Sequence, residues 1–75
     1  MNTQEIYIAY ETDIWLSNND KIMLYIGENL SDVVVQVGEL YSMTYKQRQE
    51  FLEEKQFILK GVGLIIETYR LNCFV

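Results

Sequence analysis

The chain has 75 residues, 11 acidic and 6 basic side chains, a formal net charge of -5 and an apolar fraction of 49%. That composition fits one small domain over residues 1–75 and excludes a disordered chain. With no His and one Cys, an intrachain disulfide and a His/Cys zinc site are both excluded, and so few cations disfavour a general nucleic-acid surface.

Glu5-Ile6-Tyr7-Ile8-Ala9-Tyr10-Glu11 is rich in β-branched and aromatic residues and predicts a first strand, with an extension through Asp13 to Leu16. Ser17-Asn18-Asn19-Asp20 is a turn signal, because these side chains bond nearby backbone. Lys21 to Ile26 then predicts a second strand, ended by Gly27, so the first two strands make a hairpin. Leu30, Val33, Val34, Val37, Leu40 and Tyr41 fall on one stripe of a 3.6-residue period. The run Val33-Val34-Val35 has strand-like chemistry, but the period outranks it, and a helix is expected over 31–41 with Asn29 or Ser31 as cap.

Thr44-Tyr45-Lys46-Gln47 is a capping-box pattern, and good helix formers follow it. A second helix is expected over 46–59, with Phe51, Leu52 and Ile58 or Leu59 on its buried side and Gly61 at its C-cap. Leu64 to Cys73 predicts the closing strand. The expected fold is therefore α+β: a two-layer ββααβ sandwich of a three-stranded sheet with two helices on one face.

The run Tyr7-Ile8-Ala9-Tyr10-Glu11-Thr12-Asp13-Ile14-Trp15-Leu16-Ser17, with Leu64-Ile65-Ile66-Glu67-Thr68 near the end, resembles a group of small proteins of gut bacteria and their phages. Those read Y-x-x-Y-E-x-D-x-W-x-S, then a strand, a helical middle and a closing I-I-E strand. The resemblance covers the two ends of the chain. It implies the same strand-strand-helix-helix-strand fold and a mobile-element origin, and it carries over no functional residue.

Chemistry is sparse. Without His there is no imidazole base for a Ser or Cys nucleophile. Cys73 has no basic neighbour in sequence to lower its pKa and reads as a structural thiol; as a free thiol it fits a reducing compartment. Glu11 and Asp13, with Asp20 from the turn, are the one carboxylate grouping that suggests acid/base or hard-cation chemistry; the plainer account is a solvated strand end. Gly61-Val62-Gly63 precedes a strand and not a helix, so it is no phosphate loop. No catalytic residue, cofactor or metal is expected, and no apolar run approaches the ~20 residues of a membrane span. The N-terminus lacks the basic and apolar regions of a signal peptide, which points to the cytoplasm.

The outer sheet face is the informative surface. If Ile6, Ile8, Ile22, Leu24, Ile26, Leu64 and Ile66 face the helices, alternation sends Tyr7, Ala9, Met23, Tyr25, Ile65, Tyr69 and Leu71 outward. With Trp15 at the sheet edge, the expected interface is Tyr7, Trp15, Met23, Tyr25, Ile65 and Tyr69. The function these features favour is a small non-enzymatic protein-binding module, self-associating or seated on a foreign partner. With a phage origin, it becomes an inhibitor of a host or anti-phage defence protein. Charge adds to this: residues 1–43 hold seven acids and one base, whereas residues 44–75 hold four acids and five bases. The competing function is an oligomeric sponge for a signalling nucleotide, with Tyr and Trp stacking the base and Lys46, Arg48, Lys60 and Arg70 holding phosphates. A domain with a purely structural role is the third alternative.

Overall fold

A computed structural model describes residues 2–13 and 21–73. Strand β1 spans Asn2–Asp13 and pairs antiparallel with β2, Lys21–Gly27. Helix α1, Leu30–Leu40, and helix α2, Tyr45–Glu54, follow. A short strand β3, Gln56–Leu59, turns into β4, Val62–Cys73, which returns along β1. The sheet is antiparallel throughout, in the order β2-β1-β4-β3.

Both helices start where their caps predict. The Asn29 side chain accepts from the backbone N–H groups of Ser31, at 2.9 Å, and Asp32. Thr44 accepts from the Gln47 N–H at 3.1 Å, and the Gln47 carboxamide accepts from the Thr44 N–H at 2.9 Å, which completes the capping box. The expected second helix stops early, however. Lys55 takes a left-handed conformation at φ 57° and caps α2, its N–H donating to the Phe51 carbonyl at 2.8 Å. The chain then extends through Phe57-Ile58-Leu59 and reverses at Lys60 and Gly61, with φ of 51° and 83°. Two positive φ values in a two-residue loop between the Leu59–Val62 pair are those of a tight hairpin turn, where the left-handed position suits glycine. The sheet thus has four strands and not three, and Gly61 belongs to a hairpin turn and not to a helix end.

The core lies between the helices and one face of the sheet. Val33, Val37 and Phe51 are fully buried and pack with Val34, Met43, Ala9, Leu64 and Ile66. At the helix–helix contact Gly38 is buried, and a Cβ there would stand 2.5 Å from Cδ and 2.8 Å from Cγ of Arg48. The bare α-carbon is what lets the Arg48 stem cross α1.

The pairing register fixes the two faces. Ala9 stands opposite both Tyr25 and Ile66, so Tyr7, Ala9 and Glu11 face the helices, and Ile6, Ile8 and Tyr10 face away. This inverts the expectation for β1. On β4 the expectation holds, with Leu64 and Ile66 inward and Ile65 and Tyr69 outward. Strand β2 carries a bulge: Tyr10 pairs with Met23 and Ala9 with Tyr25, which leaves Leu24 as the extra residue. Leu24 and Tyr25 therefore both pack on the core, while Ile26, opposite Ile8, turns outward.

Candidate interaction surface

Rows of paired residues run across the outer face. One row is Lys21, Thr12, Gly63 and Ile58; the next is Met23, Tyr10, Ile65 and Gln56. Beyond them come Ile26, Ile8 and Glu67, and then Ile6 with Tyr69. Met23 is 59% exposed, Ile26 51% and Ile58 66%, so large apolar side chains stand in solvent at both edges of one face.

The charges of this face cancel. Lys21 Nζ lies 2.9 Å from Glu67 Oε1 and 5.1 Å from the Tyr10 ring centroid. The hydrogen bond from Lys21 to Glu67 and the carboxylate's charge raise the lysine's pKa, so the ammonium is held charged. Tyr69 also titrates above its ordinary value, first through its hydrogen bond with Tyr10 and then through the Glu67 charge. Among the described strand positions of this face, Lys21 and Glu67 are the charged ones, and they are paired. Of the other acids, Glu5 and Glu11 are on the helix side, Glu28, Asp32 and Glu39 lie around α1, and Glu50, Glu53 and Glu54 belong to α2, from which Glu50 and Glu54 reach the rim of this face beside β3.

The face also has relief. A depression of about 510 Å³ opens beside β3, floored by Thr12, Ile58, Gly63 and Ile65 and flanked by Glu50 and Glu54 of α2.

The expected interface residues separate accordingly. Met23, Ile65 and Tyr69 share the outer face. Tyr7 and Tyr25 lie on the helix side, packed against the core; Trp15 falls outside the described residues. The residues that sequence reasoning missed on this face are Ile6, Ile8, Tyr10, Ile26 and Ile58. The signal for β1 was Ala9: the smallest side chain of the strand is the one buried in the core under the helices.

Of the carboxylate grouping, Glu11 is described, and the Asp13 side chain lies outside the described residues. Glu11 accepts a hydrogen bond from the Tyr41 hydroxyl on the helix side. Burial first, then this bond and the Glu11 charge, push the Tyr41 pKa up to about 12. Asp20 and the turn before it lie outside the described residues. No group of three potential metal ligands occurs among the described residues.

Nor does one copy of the chain gather the cations of a phosphate cradle. Lys46 is exposed on α2, Lys60 is in the β3–β4 turn, and Arg70 stands near the far end of β4, 3.9 Å from Glu5. Eight residues of strand from Val62 to Arg70 put roughly 26 Å between the last two sites. The Arg48 guanidinium has a buried Nε without a hydrogen-bond partner.

No described helix is long and apolar enough to cross a membrane. No family model matches the chain, and no curated protein or solved structure does.

Proposed function

We propose that the protein is a binding module that acts by docking the outer face of its sheet on a protein surface. One observation carries this reading. Helices cover one side of the sheet, while the other side presents Met23, Ile26, Ile58, Ile65 and Tyr69 around a neutralised Lys21–Glu67 pair. An apolar centre with little net charge is the anatomy of a protein interface, and a bare apolar sheet face of this kind is rare on a protein that stays alone. The edges of the sheet favour contact through the face: β2 is bulged at Leu24 and β3 is four residues long, and both features discourage strand addition.

The test is site-directed photocross-linking in cells that make the protein. A benzophenone amino acid replaces Ile26 or Ile58 on the outer face, or Leu40, 64% exposed on α1, as control. Protein adducts are expected from the two sheet positions and not from the helix. If no adduct forms at either sheet position, the reading is wrong.

A further inference from the structure

We infer that the partner of the outer face is a second copy of this chain, packed sheet to sheet about a two-fold axis that runs parallel to the strands between β1 and β4. This rests on the interface reading above and names its occupant.

The axis follows from the rows. In a face-to-face pair, a two-fold axis along the strands carries β2 of one copy over β3 of the other. Met23 lies at the β2 end of the row that ends on β3 at Gln56. The same row and its neighbour form the floor of the depression, through Ile65, Thr12 and Gly63. Each copy therefore places a protruding, flexible Met23 over the other copy's hollow, within one row once aligned sheets cross at about 30°. The relation is reciprocal, as a closed two-fold interface requires.

Charge agrees with the same axis. The hollow is flanked by Glu50 and Glu54, and the axis brings the partner's Lys21 to that side. The Lys21 ammonium donates to Glu67 and keeps donors for a second acid. The alternative two-fold, across the strands, sets Met23 against Met23 and leaves both hollows empty. A chain of net charge -5 repels its own copies through most of its surface, and the neutral sheet face is where two of them can meet.

Sedimentation and cysteine cross-linking decide it. The wild-type chain is expected to approach twice 8.9 kDa with rising concentration. Met23→Lys and Ile58→Lys, both at exposed positions, should keep the circular dichroism spectrum and shift the midpoint at least 30-fold upward. In a Cys73→Ser background, Met23→Cys chains mixed with Gln56→Cys chains should form the mixed disulfide, and neither should dimerise alone. A wild-type monomer at all concentrations, or cross-linking of Met23→Cys to itself, overturns the inference. If the photocross-linked adducts at Ile26 and Ile58 persist at a foreign protein's mass while the chain stays monomeric, the binding reading survives and the second copy is excluded.

Discussion

On the helix side of the sheet, Ala9, Leu64 and Ile66 are 1%, 1% and 5% exposed; on the other side, Met23 and Ile58 stand at 59% and 66%. The strands supply apolar residues to both faces in similar measure, so hydrophobicity does not explain the difference. Coverage does. Helix α1 lays Val33 and Val37 on the sheet and α2 adds Phe51, and small Ala9 makes room for them. The outer face has larger side chains, Ile6, Ile8, Tyr10 and Ile65, and no element of the described chain to cover them. One face is finished within the chain, and the other has the composition of a core without its second layer.

The sharpest way to break this comparison is to damage the finished face. Phe51→Ala removes a fully buried ring and should cost about 3–5 kcal/mol. A domain of this length has about 4–11 kcal/mol in total, so urea unfolding should begin with little or no folded baseline. A loss below ~1 kcal/mol would mean that the helix side is not the core.

Gly38→Ala probes the seam between the helices. Alanine is preferred over glycine in a helix by about 1 kcal/mol, yet the new methyl would press on the Arg48 stem at 2.5 Å. Overpacking prevails where the stem is held, and a net loss of about 1 kcal/mol is expected. Adding Arg48→Ala should turn the loss into a gain, because it removes both the clash and the buried, unpartnered Nε. If Gly38→Ala stabilises the protein by itself, the seam is looser than the geometry implies.

How much of this was legible in the sequence depends on how local the cause is. The Asn29 cap and the Thr44–Gln47 box act within one helical turn, and both are readable from spacing. The valine stripe of α1 reads as a helix despite its β-branched residues, since period reports which side is buried. The end of α2 was not readable, because Lys55 enters the left-handed region without the usual glycine and the apolar Phe57-Ile58-Leu59 continues the helical pattern of positions. The faces of β1 were not readable either. In a central strand with apolar residues on both sides, alternation gives two sets and no sign of which is inward. The bulge at Leu24 then shifts β2, moving Tyr25 inward and Ile26 outward. The interface reading therefore kept its face and lost two of its tyrosines to the core side, with Ile26 and Ile58 in their place.

The smallest predicted effect compares the tyrosines of the two faces. On the helix side, Tyr41 donates to Glu11 and sits partly buried; on the outer side, Tyr69 meets Tyr10 in solvent. An unfolded tyrosine loses its proton near pH 10, whereas folded Tyr41 keeps it to about 12. The folded state therefore binds more protons than the unfolded state in that window. The stability due to Tyr41 is fully present below pH 10 and is lost as pH rises toward 12. Tyr41→Phe should remove this part of the alkaline decline and leave the rest. At neutral pH it should cost about 1 kcal/mol, because Glu11 loses a donor in a partly buried place. Tyr69 also titrates above its ordinary value but stands in solvent on the bare face, so Tyr69→Phe should flatten the alkaline unfolding curve of the monomer less than Tyr41→Phe does. Equal alkaline curves for the wild-type and Tyr41→Phe chains would show that the Tyr41–Glu11 bond does not discriminate folded from unfolded chain, and the contrast between the two tyrosine sites would fail.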